Sequence, residues 1–200
     1  MDFTAHLWTS AVVFAATDID DLVLLTAFFA DARMRRGAIV AGQFLGIGAL
    51  TAASAAAAFA ALAVPPHWPS LLGAIPLAMG LLKAWQLLRH RGEDDDDEAE
   101  DARRAAGRSG SQVLIVAAVT IANGGDNLSV YIPLFASNPS GVPVFVIVFA
   151  SMTALWCAIA RAFVRHPVGA ALTQRWGHLI LPLVLIALGC WILWDARLLM

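Results

Sequence analysis

Three carboxylates, Asp18, Asp20 and Asp21, fall within four positions in the middle of an apolar run from Leu7 to Ala30. Such a run is long enough to cross a bilayer, which takes roughly 20 residues. A carboxylate at bilayer depth costs at least about 2.5 kcal/mol on insertion scales, so three of them cannot face lipid. They must face a protein interior, a water-filled cavity or a cation. Related chemistry recurs about a hundred residues later, as Asn123-Gly124-Gly125-Asp126-Asn127 inside another apolar run. The two stretches are expected to meet and hold a metal ion.

The rest of the chain fits a membrane setting. Charged residues make up only 14% of the 200, where soluble domains carry about 25%. Six apolar segments can be drawn, at about 5–30, 37–64, 70–88, 111–136, 142–164 and 177–193. This predicts an all-α polytopic membrane protein with six transmembrane helices. Pro65, Pro66 and Pro69 close the second segment, and Trp191 and Trp194 sit like interface anchors at the end of the sixth. Met1–Ser10 has no Lys or Arg to form a signal-peptide n-region, so the first span is expected to be retained. Cys157 and Cys190 lie in apolar segments without a CxxC spacing and read as buried hydrophobes.

The long polar connection, 91–110, contains an acidic block from Glu93 to Asp101 that repels itself and reads as a solvated linker. It separates two halves, 1–90 and 111–200, each with three predicted spans. If the six spans alternate, twelve of the thirteen basic residues fall on or near one side, among them Arg33, Arg35, Arg36, Arg161 and Arg165. That side is then cytoplasmic, and both termini face out.

The halves also resemble each other. A shift of 106 positions lays Thr17-Asp18-Ile19-Asp20-Asp21-Leu22 on Asn123-Gly124-Gly125-Asp126-Asn127-Leu128, and Phe29-Ala30 on Phe135-Ala136. Three spans per half make the second half cross in the opposite sense. This is the inverted-repeat plan of many transporters, whose site lies near the midplane where the halves meet.

Positions three and four apart share a helix face, which groups Thr17 with Asp20 and Asp21, and Asn123 with Asp126 and Asn127. Gly124-Gly125 and then Pro133 are expected to loosen the fourth span and expose carbonyl oxygens. The predicted metal set is Asp18, Asp20, Asp21, Asn123, Asp126 and Asn127, with Asp20 and Asp126 at its centre. Thr17, Gln43 and Tyr131 stand behind it or along the pathway. An oxygen-rich anionic set suits Mg²⁺, Ca²⁺ or Mn²⁺ and also takes Zn²⁺ or Cd²⁺. A carboxylate taken out of water keeps its proton until a cation arrives, so one site can exchange protons for metal. The histidines sit near span ends, where interfacial or solvated positions are expected.

Ile121-Ala122-Asn123-Gly124-Gly125-Asp126-Asn127 with Val130-Tyr131-Ile132-Pro133-Leu134-Phe135, Thr17-Asp18-Ile19-Asp20-Asp21, and Gly42-Gln43-Phe44-Leu45-Gly46 resemble the cadmium resistance transporters (CadD-like) of the lysine exporter superfamily. The resemblance spans nearly the whole chain. It implies a six-span protein of a bacterial cell membrane that exports Cd²⁺ or related divalent cations. It carries over to Thr17, Asp18, Asp20, Asp21, Gln43, Asn123, Asp126 and Asn127 as site residues.

The expected partners are the divalent cation substrate and the lipid bilayer, with no nucleic acid; assembly into a homo-oligomer is left open. No cofactor beyond the transported cation is expected. With no Gly-x-x-x-x-Gly-Lys motif, energy should come from an ion gradient, proton antiport first. The rivals are a transporter of Mn²⁺, Mg²⁺ or Zn²⁺, an amino-acid exporter, a channel and an intramembrane enzyme. The last lacks any nucleophile–base arrangement.

Overall fold

The apolar runs fold as helices, and two of them break where their polar motifs fall. The computed structural model describes residues 3–61, 74–88 and 110–165, with Leu183, Ile186, Ala187 and Cys190 as isolated positions. The acidic linker, most of the predicted sixth span and His67, His90, His166 and His178 lie outside them. The described helices are α1 (Phe3–Thr17), α2 (Ile19–Ala30), α3 (Arg36–Ala61), α4 (Ala74–Leu88), α5 (Gln112–Asn123), α6 (Gly125–Ser137) and α7 (Val142–Phe163). A 3-10 turn, Pro139–Gly141, leads into α7. Among the described residues there is no strand.

α3, and α7 with its leading turn, are long and apolar enough to cross a membrane. The α5–α6 pair, bent by 69° at its break, makes a third span if its halves serve as one. The expected first span, α1–α2 with three carboxylates at its break, is not among these candidates. α4 is the described part of the predicted third span.

Both breaks are single residues, and they lie 106 positions apart. Asp18 has φ −101°, ψ 20° and Gly124 has φ −84°, ψ 18°. The helix resumes in the same way after each: Leu22 N–H donates to the Asp18 carbonyl (3.3 Å) and Leu128 N–H to the Gly124 carbonyl (3.0 Å). These breaks correct the expectation of one continuous face per motif, because Thr17 and Asp20–Asp21 now belong to different helices, as do Asn123 and Asp126–Asn127. Pro133 has no N–H to give to the Ser129 carbonyl, yet the helix continues. α6 passes through it, and the 69° bend lies at Gly124.

Two apolar clusters lie on either side of the polar motifs. The first holds Phe14, Leu50, Tyr131, Phe135, Phe145 and Phe149; the second holds Leu25, Phe28, Ile39, Val116, Cys157 and Ala160. α1–α2 and α7 run from the first cluster to the second. α3 and α5–α6 run from the second to the first. The chain therefore passes the polar layer in opposite senses in its first and fourth predicted spans.

α3 lies against α5 through Gly42 and Gly46, one helical turn apart. A Cβ at Gly42 would fall 2.6 Å from Val116 Cβ and 2.7 Å from the Val113 carbonyl, and one at Gly46 would fall 2.6 Å from Thr120 Cβ. Small residues at this spacing let two backbones approach closely where no water drives helices together. At the ends of these helices the Gln112 side chain accepts from Arg35 N–H (2.8 Å) and donates to the Arg33 carbonyl (2.9 Å). On α7 the residues between the buried ones, Ile147 and Leu155 among them, point outward, as a lipid-facing surface requires. His6, expected at an interface, is instead buried edge-on against Phe145, with centroids 5.4 Å apart, because the start of α1 packs on the turn before α7.

Candidate metal centre

Asp18 is the break between α1 and α2: its N–H still donates to the Phe14 carbonyl (2.9 Å), but its backbone departs from helical angles and its carboxylate is buried. It is 1% exposed. Its Oδ1 accepts from the Asn127 amide at 3.0 Å, and its Oδ2 from Tyr131 O–H at 2.8 Å and Thr17 Oγ1 at 3.1 Å. Asn127 and Tyr131 lie one turn apart on α6, so the second half of the chain grips the first by two bonds.

Asp20 and Asp21 open α2, where helix N–H groups are not yet paired. Asp20 Oδ1 accepts from the Asp21 N–H (3.0 Å). The Asn123 amide, at the end of α5, lies 3.1 Å from Asp20 Oδ2 and 3.0 Å from Asp21 Oδ1, bridging the two carboxylates. Gln43 reaches in from α3: its Nε2 donates to Asp21 Oδ2 (2.6 Å), and its Oε1 accepts from Thr120 O–H (2.7 Å). Asp126, buried at the start of α6, stands near enough to Asp21 for the two charges to repel. Asp18, Asp21 and Asp126 are buried, while Asp20 is partly open.

Every residue of the sequence-derived set is therefore in one region. Asn123 and Asn127 tie the second motif to the first, and Thr17, Gln43 and Tyr131 all touch its carboxylates. Among the described residues, however, no three Asp, Glu, His or Cys side chains are arranged as a ready metal cage. Close carboxylates without a counter-charge repel one another, and amide and hydroxyl donors occupy the faces a cation would take.

The donor set still fits a hard cation. Asn127 Oδ1 is buried with no hydrogen-bond partner. An amide turned end for end exchanges N–H for oxygen, so rotation of Asn123 or Asn127 would turn a cap into a ligand. Carboxylate and amide oxygens suit Mg²⁺, Mn²⁺ or Ca²⁺, and can also take Cd²⁺, an ion that binds thiolates more strongly. Cys157 lies in the second apolar cluster, outside this oxygen set.

Thr120 and Trp156 were not legible in the sequence as site residues. Thr120 lies one turn before Asn123 on α5, a spacing that could have found it. Trp156, whose Nε1–H donates to the Asp18 main-chain carbonyl (2.6 Å), comes from α7 with no local signal.

The Gln43 bond makes a prediction. Gln43→Leu removes the Asp21 donor and leaves Thr120 O–H without its acceptor. The half-saturating cation concentration should rise by about 10–100-fold, as when a group that orients a metal ligand is lost. Thr120→Val, which cuts only the outer link, should cost less. Uptake curves on reconstituted protein check both.

A family model described as cadmium resistance transporter matches residues 14–199. No curated protein matches the chain, and no solved structure does.

Proposed function

Since the chain belongs to the cadmium resistance transporter family, a transporter and not an enzyme class, we propose that it exports divalent cations of the Cd²⁺ type through a carboxylate site between two inverted three-span repeats. The observation that carries this reading is the bridging of the halves at the polar motifs: Asn127 on Asp18, and Asn123 on Asp20 and Asp21. The paired breaks 106 positions apart and the opposite passage of α1–α2 and α5–α6 support the repeat.

The cation is the substrate. Asp18, Asp20, Asp21 and Asp126 bind it, Asn123 and Asn127 add neutral oxygens after rotating, and Gln43 and Tyr131 orient the carboxylates. The apolar clusters close the polar layer from both sides. Alternating access would open one cluster at a time as one repeat rocks against the other. Protons replace the cation on the return step, which makes the cycle an antiport. The cytoplasmic side is the end carrying Arg33, Arg35, Arg36, Arg161 and Arg165, beyond the second cluster, and both termini face out of the cell.

The test is uptake into inside-out membrane vesicles, where export becomes accumulation. Cd²⁺ should accumulate when the lumen is acid, and a protonophore should abolish that accumulation. Mn²⁺ and Zn²⁺ should compete, and lysine should not. Accumulation of lysine without Cd²⁺, Mn²⁺ or Zn²⁺ would replace this reading with an amino-acid exporter. Non-saturating flux insensitive to the proton gradient would make the protein a channel.

A further inference from the structure

Asp18 is held at two ends. Its carboxylate meets Asn127, Tyr131 and Thr17, while its main-chain carbonyl accepts the Trp156 Nε1–H at 2.6 Å. That carbonyl sits at the break, where the ladder bond from Leu22 is long at 3.3 Å. The indole is fixed in turn. It lies edge-on to Phe14, with centroids 5.7 Å apart and planes at 87°, and packs against both apolar clusters.

The place 106 positions earlier than Trp156 is Leu50, and the place 106 later than Asp18 is Gly124. These two also touch: a Cβ built on Gly124 would overlap the Leu50 side chain. Each break is therefore covered by a side chain from a helix of the opposite half. Leu50 covers Gly124 by contact alone, whereas Trp156 covers Asp18 with a directed hydrogen bond. Only the break that bears a carboxylate receives the bond.

We propose that Trp156 is a positioning residue that, by fixing the Asp18 carbonyl at the break, sets how sharply the site discriminates among divalent cations. The inference rests on the cation-export reading above. A carboxylate whose backbone is pinned offers its oxygens at one distance. Ions differ in what they accept: Mg²⁺ demands near-ideal octahedral oxygens at about 2.0–2.1 Å, whereas Ca²⁺ tolerates flexible shells at about 2.3–2.6 Å. Releasing the break should blur that difference.

The experiment compares wild type, Trp156→Phe and a full-length chain carrying 3-benzothienylalanine at position 156, which keeps the bicyclic shape and loses the N–H. Each is reconstituted, and the concentrations of Mg²⁺, Mn²⁺ and Ca²⁺ that half-inhibit Cd²⁺ uptake are measured. The spread of those concentrations should contract by about tenfold in the substituted proteins, the scale of one net hydrogen bond. A residue that only fills space would lower the amount of active protein and leave the spread unchanged. If Trp156→Phe fails to fold, the sulfur isostere decides. An isostere with the wild-type spread overturns the proposal while leaving cation export standing. A wild type that takes up no divalent cation overturns both.

Discussion

Asp18→Asn is expected to abolish cation transport while leaving the helices assembled. The substitution keeps the side chain's shape and removes its charge. At present Asp18 accepts from three side chains, two of them on α6, and is almost fully buried. An asparagine there presents one amide oxygen and one N–H₂ to a set of donors, so at least one partner must turn to stay paired. A cation arriving between the halves would lose a full negative charge in a water-poor site, where charges act more strongly than in water. Transport should fall by at least about 100-fold, beyond the usual loss for an outer-shell change. Asp20→Asn and Asp126→Asn, at positions related by the 106-residue shift, should do the same. Uptake into inside-out vesicles, normalised to the monodisperse protein recovered from each membrane, separates loss of function from loss of fold. Normal uptake by any of these variants would remove that residue from the site.

Gly42→Val should have the largest effect on assembly. Its Cβ would lie 2.6 Å from Val116 Cβ and 2.7 Å from the Val113 carbonyl, a backbone atom that cannot swing aside. Overpacking a tight contact costs about 1–3 kcal/mol, and here the branched side chain pushes apart two helices from different halves. Gln43 lies beside Gly42 on α3, so the same displacement would pull its amide from Asp21. Gly42→Val is expected to leave little monodisperse protein and, in what remains, weak cation binding. Gly48→Ala is the control. A Cβ there has nothing within 4 Å, and alanine favours a helix over glycine by up to about 1 kcal/mol. Thermal unfolding in detergent should show Gly48→Ala at or above wild type. Equal stability of the two variants would show that the α3–α5 crossing is looser than described.

The meeting of the two motifs was legible because carboxylates in an apolar run leave few alternatives. Asp18, Asp20 and Asp21 had to face something polar, and Asn123, Asp126 and Asn127 offered the same chemistry in the second half. Gln43 was placed behind the set as a polar side chain inside a span, and its partners are Asp21 and Thr120. The breaks were less visible. Periodicity treats a span as one helix, so Thr17 was placed on a face with Asp20. Yet Thr17-Asp18 are residues that favour helix starts, and in mid-span they were the available sign of a new helix. The sharp bend falls at the glycine pair, which has no side chain to displace, while α6 continues through Pro133. Trp156 and His6 depend on which helices become neighbours, which no local pattern encodes.

The two halves are expected to share one cation. The most direct measurement is an anomalous difference map from crystals grown with Cd²⁺. It should show a single peak within about 2.6 Å of oxygens from both the Asp18–Asp21 stretch and the Asn123–Asn127 stretch, with at least one of the two asparagine amides turned to offer oxygen. A peak bound by one half alone, or seated away from both motifs, would contradict it.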